Sequence, residues 1–413
     1  MTPARVLQPR HFDSFRCIGA DCEDTCCVGW LVQVDKQSYE KYQDCTDSQL
    51  GPSLSTLVTI NADSSTDADY AKITLNGITC PFLSEGLCSV QQRLGEEYLP
   101  NMCATFPRVM NRVDDVLQRS LDLSCPEAAR IVLLDPRPME FEEREYKEGA
   151  DRPGALAALD MSRLQGAAEP YRLFRDLRRE VIRVLQDRSR PIWDRLFIVG
   201  CVCEKLDRMG ADGWDGSMVN VSQDTFAECK KNPTARLEIV LELVVARIRS
   251  DFNPASFLAC YREFMNGIQW TSKSTMDEIG ARYVEAYSEN YVPVMREHKH
   301  ILEQYLVNYA YRTQFPLGMP ESNRRLHNDR VPSCITSQYM LMAAHYAIVE
   351  TLLIGMAGFH KAAFGPVQIV KLIQSCTKTF EHSIAFPGQA IQVLAEKGMT
   401  NPANLCVLIR PAG

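Results

Sequence analysis

The chain has 413 residues, 46% of them apolar and 23% charged, with a formal net charge of −7. Those values suit a soluble globular protein of two or three domains. They speak against a nucleic-acid binder, which carries a basic stripe that this sequence lacks. The opening residues, MTPARVLQPRHFDSF, hold no apolar core of signal-peptide length, so a cytoplasmic location is expected.

Of the 16 cysteines, nine fall within the first 125 residues. The stretch CIGADCEDTCCVGW packs Cys17, Cys22, Cys26 and Cys27 into eleven positions. A second set, Cys80, Cys88, Cys103 and Cys125, is spread over turns and element ends. Cys45 stands apart in a polar stretch and reads as a free thiol. YAKITLNGITCPFL predicts two short strands around Asn76-Gly77, a pair suited to a tight hairpin, and a second turn at SEG leads to Cys88. Ser89 is expected to cap a short helix with Gln92 in the capping-box position. That helix should end near Pro100, which leaves Cys103 in a turn. VDDVLQRSLDLS reads as extended and delivers Cys125 just ahead of a helix opened by Pro126, where free amides favour a thiolate.

Residues 136–165 are acidic, contain three prolines, and read as a linker. From 166 to the end the periodicity is helical. YRLFRDLRREVIRVLQDR puts Leu173, Leu177, Val181 and Val184 near one face. Cys201 and Cys203 in FIVGCVCEKL, like the other late cysteines, read as core thiols. The glycines of MGADGWDGS, 209–217, follow no strand and read as a loop. CITSQYMLMAAHYAIV, 334–349, reads as a buried helix and not a membrane span, with His345 a satisfied core histidine; His298 and His300 look solvated. The expected fold class is mainly α: a loop-rich cysteine-cluster domain with short β-hairpins over 1–135, the linker over 136–165, and an all-helical domain over 166–413.

Three accounts of the early thiols stay open. Disulfides need an oxidising compartment. A structural zinc site usually shows paired C-x-x-C knuckles, and none occurs in this set. An iron–sulfur cluster takes ligands from several loops and tolerates irregular spacing, so the spacing favours it. Trp30 then reads as a lid over the cluster.

FRCIGADCEDTCCVGW, CPFLSEGLCSVQQRLGEEYLPNMCATFPR and LDLSCPEAARIVLL together resemble the flagellin lysine-N-methylases of bacteria, and YLVNYAYRTQFP at 305–316 extends the resemblance. The resemblance implies an iron–sulfur cluster, 4Fe-4S in type, with Cys17, Cys22, Cys26, Cys27, Cys80, Cys88, Cys103 and Cys125 at the family's cysteine positions. It implies S-adenosyl-L-methionine as methyl donor and flagellin lysines as target; charge and hydropathy leave neither nucleic acid nor membrane as an expected partner. No glycine-rich loop of the common methyltransferase fold is present. The radical signature C-x3-C-x2-C begins at Cys22 and Cys26 but meets Gly29. Polar transfer to an amine needs a desolvated lysine and aromatic faces or carboxylates around the donor's sulfonium. Asn308, Tyr309 and Arg312 are the catalytic candidates, Asn308 and Arg312 sharing a helix face; the residues by themselves favour the other reading, a capping and core-packing segment. The alternative is a binding or sensing protein with structural zinc or iron–sulfur.

Overall fold

The computed structural model describes residues 5–62, 64, 66–147, 157–159, 173–210, 229, 231–250, 253–318 and 334–412. They divide into two compact units: residues 1–128 with 141–159, and residues 129–140 with 160–413.

The first unit holds the strands β1 (Arg5–Pro9), β2 (Gln33–Val34), β3 (Val58–Ile60), β4 (Ala71–Ile73), β5 (Leu83–Ser84), β6 (Leu87–Cys88), β7 (Arg108–Val113), β8 (Val116–Leu121), β9 (Phe141–Glu145) and β10 (Ala157–Leu159). β7 and β8 form a hairpin closed at Asp114-Asp115, Asp114 having a φ of 54°. β1 lies parallel to β8 and antiparallel to β9, giving a five-stranded sheet in the order β10-β7-β8-β1-β9. The expectation of short hairpins alone missed this sheet. Its outer partners come from the stretch read as a linker, where β9 and β10 lie; 148–156 and 160–165 are outside the described residues. A three-stranded sheet, β2-β4-β3, and the β5-β6 pair complete the strands. The Asn76-Gly77 turn forms with Gly77 at φ 62°, but its far arm makes only single bridges from Thr79 to Asn76 and Val28.

Around these strands lie α1 (Lys36–Gln43), α2 (Gly51–Leu57), α3 (Ser89–Leu94) and α4 (Asn101–Thr105), and α5 (Pro126–Leu133) carries the chain from the first unit into the second. Two local expectations change here. Ser89 does not cap α3: its hydroxyl donates to Phe82 O at 2.9 Å, and the helix stops at Gly95, whose φ of 91° ends it well before Pro100. Cys103 then falls inside α4 and not in a turn. Val34, Tyr42, Leu54, Ala71, Ile73, Phe82, Leu99 and Cys80 are part of the small core, and Cys27, Cys88 and Cys103 pack on it.

The second unit is helical: α6 (Phe174–Leu185), α7 (Ile192–Met209), α8 (Pro233–Ser250), α9 (Ala255–Gly267), α10 (Met276–Ala286), α11 (Val292–His298), α12 (His300–Arg312), α13 (Ile335–His360), α14 (Pro366–Cys376), α15 (Phe386–Glu396) and α16 (Pro402–Ile409). In α6, Leu177, Val181 and Val184 are buried as the periodicity predicts, with Phe174 taking the place of Leu173 as the fully buried residue at its start. α13 is the helix among the described residues long and apolar enough to cross a membrane, and its apolar window is entirely buried. It meets α9 at glycines: a Cβ on Gly267 would sit 1.7 Å from Gly355 O. The loop reading at 209–217 falls beyond the described residues after Gly210. Cys203 is a core thiol as expected, whereas Cys229 and Cys406, taken for core thiols, are joined in a disulfide. Two π turns, Tyr287–Tyr291 and Thr377–Glu381, interrupt the helices; such insertions often mark functional positions.

Candidate metal centre

The early thiols are positioned by pairing between two distant segments. Gly29 N–H donates to Ile78 O at 3.0 Å and Cys80 N–H to Cys27 O at 2.9 Å, which brings residues 26–29 against 78–80. Gly29 sits at a φ of 104°, a conformation that favours glycine. Thr25 Oγ1 accepts from Cys27 N–H, fixing the turn that separates the adjacent Cys26 and Cys27. Cys88 ends β6 at the start of α3, and Cys103 comes from α4.

Cys26, Cys27, Cys80, Cys88 and Cys103 line one cavity of about 80 Å³, walled by Trp30, Tyr42, Phe82 and Phe106 among others. Several times the space of one water is available there, a water needing about 10–15 Å³. Trp30 Nε1 donates to Cys26 O at 3.0 Å and its ring lies 5.6 Å from that of Phe106, so the indole stands at the wall beside Cys26.

Burial raises the thiol pKa values of Cys80, Cys88 and Cys103, Cys103 most strongly; for Cys88 the amides of Gln91 and Val90 pull the other way. Cys103 also interacts with Cys26, Cys88 and Cys80, and Cys80 and Cys88 with Cys26. Cys26, Cys80, Cys88 and Cys103 therefore share the cavity and influence one another electrostatically. Cys22 and Cys125 lie outside the cavity; Cys125 interacts with both Cys22 and Cys26, and Cys22 with the exposed Cys17. For Cys125 the helix amides of Glu127 and Ala128 act as expected, but burial outweighs them and pushes the thiol up to about 12. Among the described residues no three or more His, Cys, Asp or Glu side chains converge as they would on one metal ion.

In the helical unit the candidates of α12 are all buried: Asn308, Tyr309 and Arg312 are 1%, 8% and 4% exposed. Arg312 Nη2 donates to Glu381 Oε2 on the second π turn, whose other oxygen accepts from Tyr305 Oη at 3.0 Å and Thr377 Oγ1 at 3.3 Å. The Tyr309 ring lies 5.3 Å from His345, which in turn lies 5.4 Å from Phe386. Burial lowers the His345 pKa to about 4, so its imidazole is neutral near pH 7. Sequence reasoning missed Glu381, which is 69 positions from Arg312 in a polar segment with no signal of burial. Three further ion pairs, Glu303 with the half-buried Arg188 and the buried Arg195, and Arg236 with Glu350, hold the helices elsewhere.

The C-terminal domain model of the FliB lysine N-methylases matches residues 178–408. The lysine-N-methylases of Salmonella typhimurium and Salmonella choleraesuis are each 30% identical over 145 residues, 35% of this chain and 36% of those proteins. The matched part thus spans little more than a third of those relatives. The flagellar biosynthetic protein FliU of Salmonella muenchen is 32% identical over 152 residues, 35% of this chain and 86% of that protein. No solved structure matches the chain.

Proposed function

Because the chain belongs to the FliB lysine N-methylase family, we propose that it methylates lysine side-chain amines of a flagellin-type protein. S-adenosyl-L-methionine is the donor, the compartment is the cytoplasm, and the N-terminal thiols hold an iron–sulfur cluster. The observation that carries the activity is the family match over 178–408, which spans the whole buried polar group around Arg312 and Glu381. The named relatives supply the substrate class, two being lysine-N-methylases and one a flagellar biosynthetic protein.

For the cluster, the donor set fits. Cys26, Cys80, Cys88 and Cys103 are soft thiol ligands from four separate elements around a cavity larger than one ion needs. Those four, with Cys27 lining the same cavity, are the candidate ligands. Cys22 and Cys125 stand outside the cavity lining, Cys125 interacting with both Cys22 and Cys26. A cluster so held would supply an electron-transfer or Lewis-acid centre. Trp30 and Phe106 shield that side of the cavity.

In the helical unit each candidate has a task set by its chemistry. The Tyr309 ring presents a π face suited to a sulfonium or ammonium. The Glu381 carboxylate balances positive charge there and holds Arg312 in place. Arg312 and Asn308 are donors for a carboxylate or carbonyl of the donor or substrate. The buried setting removes water from an entering amine, which lowers a lysine pKa toward the neutral form that attacks the methyl carbon.

The test is incubation of anaerobically isolated protein with S-adenosyl-L-methionine and flagellin, followed by peptide mass spectrometry. Lysines heavier by one or more methyl groups support the reading. Unmodified lysines with cluster-loaded protein overturn it.

A further inference from the structure

We propose that Cys229 and Cys406 form a reversible redox clamp on the C-terminal helix of the helical unit. The pair closes a span of 177 residues with a Cα–Cα distance of 5.3 Å, well inside the range that a disulfide bridges. Both residues are buried, 1% and 0% exposed. The crosslink does not stand alone. Arg410, just past α16, donates through Nη1 to Cys229 O and lays its guanidinium over the Trp193 ring, 4.7 Å from the centroid. Arg410 O accepts from Arg236 Nη1 at 2.8 Å, and Arg236 Nη2 donates to Glu350 Oε2 on α13 at 2.6 Å. Tyr291 on the first π turn donates to the other Glu350 oxygen at 3.3 Å. The disulfide is thus the covalent end of a chain of polar contacts that runs from the tail to the long buried helix.

Its setting makes it responsive. The other 14 cysteines form no disulfide, so this pair is the exception among the cysteines. The clamped helix has eight residues, too short to be stable without its packing, so its local opening exposes the sulfurs to exchange. On oxidation, one thiolate attacks glutathione disulfide and releases glutathione thiol. The second thiolate then displaces the bound glutathione, closing the S–S bond; the two cysteines together lose two electrons and two protons. A dithiol reductant reverses both steps and is itself oxidised to a disulfide. Closing the bond restricts the unfolded chain and fixes α16 and residue 229 together. This inference does not depend on the methylase reading.

The experiment uses the full chain, equilibrated with glutathione disulfide or with dithiothreitol. Each sample is denatured in N-ethylmaleimide, digested for peptide mapping, and melted in parallel. Peptide mapping should find Cys229 and Cys406 joined to each other in the oxidised chain and both labelled in the reduced chain, whatever the exposed thiols carry. Reduction should lower the melting temperature of the helical signal by roughly 5–15 °C. C229S should give no joined peptide at Cys406 in either state and melt like the reduced protein. No Cys229–Cys406 joined peptide after oxidation, or equal melting temperatures in the two states, would overturn the clamp. Should C229S fail to fold, the wild-type comparison stands by itself.

Discussion

Glu381→Leu separates structural from functional roles in the helical unit. The Arg312 and Glu381 side chains are each 5% exposed, so the pair is shielded from solvent screening. Removing the carboxylate strands a buried guanidinium, at about 3–5 kcal/mol. The Tyr305 hydroxyl, 3.0 Å from the same carboxylate, loses its acceptor at about 1 kcal/mol more. The sum lowers the melting temperature by roughly 10–20 °C for a unit of this size. The double variant R312M/E381L replaces the ion pair by apolar groups of similar volume and should recover most of that loss. Thermal melts followed by circular dichroism give the stability, and a flagellin methylation assay on the same samples gives the activity. Stability should return in the double variant while methyl transfer stays lost. Recovery of both would refute the reasoning and leave the pair a structural staple; a loss under about 1 kcal/mol for Glu381→Leu would refute the burial argument itself.

Replacing Cys103 by serine should abolish iron binding and unfold the N-terminal unit, metal binding being coupled to folding, whereas Cys203→Ala should leave iron content unchanged and cost about 1–3 kcal/mol of packing; iron analysis and melts decide both. Trp30→Ala removes the indole beside Cys26, and chelator should then strip iron several-fold faster than from wild type, followed by absorbance. His345 titrates at about 4 in the folded chain and near 6.5 when unfolded, so acid protonates the unfolded form first. The stability that its neutral form contributes above pH 6.5 is lost as the pH falls toward 4, about 2 kcal/mol of it between pH 7 and 5. His345→Phe should remove that part of the pH slope in denaturant titrations, and an unchanged slope would count against it.

The mainly helical class and the buried character of α13 were legible because periodicity and composition act locally. The eight early cysteines stood out in the sequence for the same reason. Which of them share a cavity did not. The pairing of 26–29 with 78–80 sets Cys27 against Cys80, a long-range contact that spacing does not encode, and Cys88 and Cys103 reach the same cavity from β6 and α4. β1 and β9 escaped notice because their partners lie 140 positions apart, Arg5 against Glu145, and charged residues line β9. Cys125 met the helix rule but not its outcome, since desolvation outweighs the helix amides. Glu381 escaped because TKTFEHS has the composition of a solvated turn; only the π turn and the approach of α12 bury it.

Whether the cavity thiols hold an iron–sulfur cluster is decided by measuring iron, acid-labile sulfide and zinc per chain on protein isolated without oxygen. About four irons with matching sulfide is the predicted result for a cubane held by four cysteines, and C103S should hold neither. About one zinc per chain and no iron would contradict it, and would make the N-terminal unit a zinc-stapled module.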